Sequence, residues 1–191
     1  LALICARDGA ARLAAAQFET ADNMTETMAA LSLLVVHGEA DAALAAFYAR
    51  WRRDRLVVDK WFAVQASLAP PEAAVETVAA LSRHPDFDWR NPNRFRALIG
   101  AFAAANPAGF SRSDGAGYSL VVDWLIKLDP VNPQTAARVA ASFGAWSLLD
   151  AGRQALLRAQ LRRLGATDGL SRDTGEIVGR LLGDDDGRSD P

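Results

Sequence analysis

The sequence predicts an all-α fold: a superhelical layer of antiparallel helix pairs, a HEAT/armadillo-like solenoid of about nine or ten helices. Three observations lead there. Ala and Leu dominate, apolar residues recur at helical spacing, and β-branched runs are too short for a strand ladder. Several prolines stand where helical patterns open, the position at which a missing N–H costs nothing. The run Asn91-Pro-Asn-Arg-Phe-Arg-Ala-Leu-Ile-Gly-Ala-Phe102 is echoed by Asn132-Pro-Gln-Thr-Ala-Ala-Arg-Val-Ala-Ala-Ser-Phe143. That offset falls within the roughly 40–47 residues of a two-helix solenoid repeat.

The elements follow in order. Leu1-Ala-Leu-Ile-Cys-Ala6 is apolar from its first residue and reads as the middle of a helix begun upstream. Asn23 or Asp22 caps a helix through Met28, Leu31, Leu34 and Val35 that stops at Gly38. A helix predicted over 39–52 carries Leu44, Phe47, Tyr48 and Trp51 on one stripe, with arginines at its end suiting the dipole. The next, over 57–68, buries Trp61, Phe62 and Val64. Prolines 71, 92, 107 and 133 open four more, the third a short one. Helices over 118–128 and 150–164 complete the body, and 171–182 forms a capping helix. A single domain over 1–183 results, with an acidic, flexible tail over 184–191.

With 191 residues, half of them apolar, the chain can bury a substantial core. The net charge of −2 gives no reason to expect nucleic acid or an anionic membrane as partner. No apolar run approaches the roughly 20 residues that span a bilayer. A single cysteine, Cys5, excludes an internal disulfide and suits the reducing cytoplasm.

Catalytic motifs are missing. Neither His37 nor His84 belongs to a His-Glu-x-x-His pattern, so no zinc-protease core is encoded here. His84, before Pro85, is expected to cap helix carbonyls, and Cys5 to be buried and inert. No Gly-x-Ser-x-Gly elbow is present. Asp114-Gly-Ala-Gly-Tyr118 lacks a preceding strand and a third glycine, so it reads as a turn between helices. The triple Asp184–Asp186 lacks calcium-loop spacing.

Three arginines stand out. Arg94, Arg96 and Arg138 lie about one turn into helices opened by Asn-Pro, where the dipole opposes a cation. Each is either an exposed or ion-paired side chain, or a cationic point on the concave face that meets a carboxylate or a peptide carbonyl.

Several runs, in order from about residue 10 to about 182, resemble the C-terminal domain of the bacterial aminopeptidase N (gluzincin) family. They are Ala16-Gln-Phe18, Ala21-Asp-Asn-Met-Thr25, Met28-Ala-Ala-Leu31 and Leu56-Val-Val-Asp-Lys-Trp-Phe-Ala63. Further along come Asn91-Pro-Asn-Arg94, Arg96-Ala-Leu-Ile-Gly-Ala-Phe-Ala103, Asn106-Pro107, Asp114-Gly-Ala-Gly-Tyr118, and Asn132-Pro-Gln134 with Arg138. The Thr25-Glu26-Thr27 run and the Asp-rich end depart from the family pattern.

The resemblance implies a non-catalytic domain of a zinc-dependent aminopeptidase. Its zinc would be held by an upstream catalytic domain of the same polypeptide, and no cofactor is expected in this chain. The domain would close over the active-site chamber and admit only small peptides. By the same resemblance, Gln134 and Arg138 contact the peptide beyond the scissile bond, with Arg96 a further candidate on the chamber wall. No catalytic or metal-ligating residue is expected here, so the isolated chain should be inactive. The alternative is a free-standing helical-repeat module that binds a protein partner on its concave face. A domain parted from a larger enzyme should expose an apolar patch unusual for a monomer, whereas a free-standing repeat should have polar ends.

Overall fold

A computed structural model describes residues 9–183, and every regular element among them is helical. The first is α1 (Ala10–Thr20), entered through Gly9 in the left-handed conformation at φ +85°. The expectations for Leu1–Ala6, for Cys5 and for the acidic end at 184–191 fall outside the described residues.

Next come α2 (Met24–Val36), α3 (Asp41–Trp51), α4 (Arg55–Leu68) and α5 (Pro71–Leu81). Helix α6 runs from Pro92 to Ala105 and contains a π turn at Arg96–Gly100. The short α7 (Pro107–Phe110) precedes α8 (Ala116–Leu128) and α9 (Pro133–Ala140). A 3₁₀ stretch, Ala141–Leu148, extends α9, and α10 (Ala151–Gly165) and α11 (Arg172–Gly183) follow.

Asx side chains set most of the starts. Asn23 accepts from the Glu26 N–H, Asp54 from Leu56 and Val57, Asn91 from Asn93 and Arg94, Asn132 from Thr135, and Asp150 from Arg153. The helix expected from residue 57 therefore begins at Arg55, because Asp54 is its cap. The Gly-x-Gly run is a turn only as far as Gly115, which enters α8 at φ +72°; Ala116, Gly117 and Tyr118 already belong to the helix, which starts two residues before the expected 118.

The helices form two layers. Helices α2, α4, α6, α9 and α11 pack in sequence in one layer, and α5, α8 and α10 in the other. Within a layer they run parallel, start beside start. Arg94 near the start of α6 reaches the Arg55 carbonyl at 3.4 Å, while Asn106 beyond its end donates to the carbonyls of Ala66 and Ala69 at 3.2 and 2.9 Å. Asp129, before α9, bonds Ser171 and Thr174 at the start of α11. In the second layer Arg163 pairs with Asp123, and Arg153 donates to the Ser111 carbonyl. Their sequence separations are 39, 40, 37, 42, 42, 45, 40 and 42 residues, so the Asn-Pro echo marks a structural repeat.

The core between the layers is continuous. Phe62, Phe95, Leu98, Phe102, Tyr118, Val122, Leu125, Phe143 and Leu161 are all within 1% of full burial. Two glycines permit the closest approaches. A Cβ at Gly109 would lie 2.5 Å from the Ala74 Cβ, and one at Gly117 would lie 2.3 Å from the Phe110 carbonyl oxygen.

His84 departs from its expected role. Its Nδ1 accepts from the Asp86 N–H at 3.1 Å instead of capping a carbonyl, and its ring packs edge-on to Tyr48 and Phe62. The turn at His84–Asp86 brings a backbone donor to the ring, while the Tyr48 hydroxyl holds the Asp86 carboxylate at 2.7 Å. That hydrogen bond also raises the Tyr48 pKa above its ordinary value.

Candidate functional site

Counting from each N-cap aligns the four parallel helices α4, α6, α9 and α11, whose caps are Asp54, Asn91, Asn132 and Ser171. The third residue after each cap is buried: Val57, Arg94, Thr135 and Thr174. So is the seventh: Trp61, Leu98, Val139 and Val178. The second is exposed in every case: Leu56, Asn93, Gln134 and Asp173. With 3.6 residues per turn, positions two, five, six and nine share the face opposite the core. This open face carries Arg96, Gln134, Arg138, Glu176 and Arg180, all exposed.

The three arginines separate on this register. Arg94 holds position three and is only 6% exposed. Its Nε lies 3.1 Å from Asp59 Oδ1, an ion pair by distance without hydrogen-bond alignment, and its guanidinium sits 5.0 Å from the Phe62 ring centre. The structural role expected of an ion-paired arginine is the one Arg94 has. Arg96, at position five of α6, lies on the open face. It is folded back onto its own first turn, donating from Nε to the Pro92 carbonyl at 3.2 Å and from Nη2 to the Asn93 side chain.

Arg138, at position six of α9, is exposed and has no ion pair or hydrogen bond among the described residues. Gln134 precedes it by one turn on the same exposed stripe. Helix α6, which carries Arg96, packs against α9. A Cβ built at Gly100 would lie 3.5 Å from the Arg96 Cβ and 3.6 Å from the Val139 Cγ2, so both side chains flank one contact point. The π turn at Arg96–Gly100 has no counterpart in residue type that sequence reading could use.

One part of the face was not foreseen. Gln134 and Ala137 of α9 form a groove of about 420 Å³ with Asp173, Glu176, Ile177 and Arg180 of α11. The helical spacing of the α11 residues was legible, but their neighbour was not. Among the described residues no cluster of three or more His, Cys, Asp or Glu side chains is placed to hold a metal ion. The described residues do not fit a zinc site.

Two layers of parallel-stacked helices joined pairwise about every 40 residues define a helical-repeat domain. The chain belongs to the DUF3458_C family, a domain of unknown function with ARM repeats, which it matches over residues 1–183. It is 43% identical over 168 residues to aminopeptidase N of Caulobacter vibrioides, covering 87% of this chain and 19% of that protein. It is 41% identical over 172 residues to aminopeptidase N of Escherichia coli, covering 89% and 20%. The fold is similar to the crystal structure of Legionella pneumophila aminopeptidase A in complex with aspartic acid. That match has a TM-score of 0.85 and 38% identity, covering 92% of this chain and 21% of the other. The chain thus spans about a fifth of the length of these relatives and corresponds to their C-terminal region.

Proposed function

We propose that this domain is the non-catalytic, substrate-confining wall of a zinc-dependent aminopeptidase. It closes over the active-site chamber of an upstream catalytic domain in the same polypeptide and admits small peptides. Gln134 and Arg138 contact the peptide beyond the scissile bond, and Arg96 lies on the same wall. The observation that carries this reading is the exposed Arg138, without a partner among the described residues, one turn from Gln134 on the open face, within a chain 41–43% identical to aminopeptidases N. A free guanidinium presents a fork of donors that suits a carboxylate or peptide carbonyl without breaking an internal contact.

The domain's part in catalysis is confinement and orientation, which act on the reacting atoms only through the position of the peptide. Zinc, held by the catalytic domain, would supply Lewis-acid and water-activating chemistry there. The same reading places the polypeptide in the cytoplasm, a reducing compartment that suits the lone Cys5.

The test is Arg138→Ala in the full-length polypeptide. KM for di- and tripeptides should rise about tenfold, the loss of one charge-assisted contact of ~1.4 kcal/mol, with kcat changed less than twofold. A collapse in kcat at unchanged KM would refute a positioning role.

A further inference from the structure

We propose that the groove between α9 and α11 receives the side chain of a lysine or arginine of the bound peptide, giving the wall a preference for basic residues. The inference rests on the peptide lying along Gln134 and Arg138, since Gln134 belongs to both the wall and the groove.

The groove is built for a long cationic side chain. Its floor is Ala137 and Ile177, both half-buried, which suits the aliphatic stem of lysine or arginine. Asp173 and Glu176, both exposed, line it from α11. Asp173 occupies position two of its helix, as Gln134 does of α9, and the two helices run parallel with their starts adjacent. The acidic end of the groove therefore opens beside Gln134.

Asp173 has no ion pair or hydrogen bond among the described residues. Glu176 is paired with Arg172 at 2.7 Å, but both side chains are largely exposed and such a pair is weak and readily exchanged. Arg180 also lines the groove, one turn beyond Glu176 and two turns, roughly 10 Å, beyond Asp173, so the acidic character is confined to the Asp173 end. The start of α11 contributes about half a positive charge, against two carboxylates. Arg138, one turn from Gln134 on the same stripe of α9 but outside the groove's lining, is left for the peptide carbonyl or carboxylate.

The experiment uses the full-length polypeptide and alanyl tripeptides with lysine, arginine or norleucine at the second or third position. Norleucine keeps the stem and removes the charge. The wild type should favour lysine and arginine over norleucine about fivefold in kcat/KM at one of these positions, the size of a good exposed ion pair. Asp173→Asn should bring that ratio toward one, Asp173→Lys should invert it, and raising the salt should flatten it in the wild type.

Equal rates for lysine and norleucine at both positions in the wild type, or a ratio unchanged by Asp173→Lys, would overturn the inference. Arg138→Ala separates this outcome from failure of the wall itself. That variant should raise KM for charged and neutral peptides alike, so an unaltered KM counts against the wall while the charge ratio is scored on its own.

Discussion

At the residue scale, the decisive positions are those where one atom more or less has nowhere to go. A Cβ at Gly117 would lie 2.3 and 2.8 Å from the carbonyl oxygen and carbon of Phe110 and 2.9 Å from the Gly109 oxygen, all backbone atoms that cannot swing aside. Gly117→Ala should cost about 3 kcal/mol in denaturant unfolding, the upper range for overpacking. Gly179 has nothing within 4 Å of its would-be Cβ, so Gly179→Ala should be neutral or stabilising through helix propensity. Equal effects at the two positions would refute the steric account.

Asp114 is a different kind of constraint. Its hydrogen bond from Arg112, reinforced by the Ala116 N–H, holds its carboxyl below the usual carboxylate range. The unfolded chain therefore takes up the proton first as pH falls. This contribution to stability is complete above the unfolded pKa near 4 and is lost as pH drops through the lower folded value. Asp114→Asn should flatten acid unfolding in that window and leave the stability profile above about pH 5 with an unchanged slope, read by urea midpoints against pH. Arginines at equivalent helix starts also part company at this scale: Arg94 is consumed by packing, Arg96 by its own first turn, and Arg138 by neither.

At the scale of elements, the last helix shows how a single buried carboxylate docks a whole unit. Asp129, 1% exposed, accepts from the Ser171 N–H and hydroxyl at 2.6 Å each and from the Thr174 hydroxyl. These bonds satisfy the start of α11 and fasten it to the segment before α9, so the groove lined by Asp173 depends on them. Asp129→Ala should cost about 2 kcal/mol by leaving buried donors unpaired. In a stacked-repeat fold the effect should be local: amides of α11 should exchange faster with solvent while those of α4 and α6 keep their protection. Uniformly faster exchange would refute a local docking role. The helix starts were legible because Asx residues and prolines cap by local chemistry, as at Asn23, Asn91 and Asn132. The π turn in α6 and the long 3₁₀ stretch after α9 were not, since both arise where helix packing distorts a sequence with ordinary helical spacing.

At the scale of the whole molecule, hydrogen bonds and ion pairs between elements about 40 residues apart make the chain a stack in which each unit meets its neighbours at the same register. The amino-acid sequence alone determined the all-helical class, the positions of most helix starts, the repeat period and the resemblance to aminopeptidase N, because these rest on periodicity, local capping and residue identity along the chain. It also placed Gln134 and Arg138 on one helix face, since four residues make about one turn. Only the tertiary structure decided that Arg94 is buried against Asp59 while Arg138 has no partner among the described residues, that His84 accepts a backbone N–H within an aromatic cluster, and that Asp173 and Glu176 share a groove with Gln134. The physical reason is that helical spacing specifies a face but not what that face meets. Which side chains remain unpaired depends on contacts between residues some 40 positions apart, set by how the helices stack.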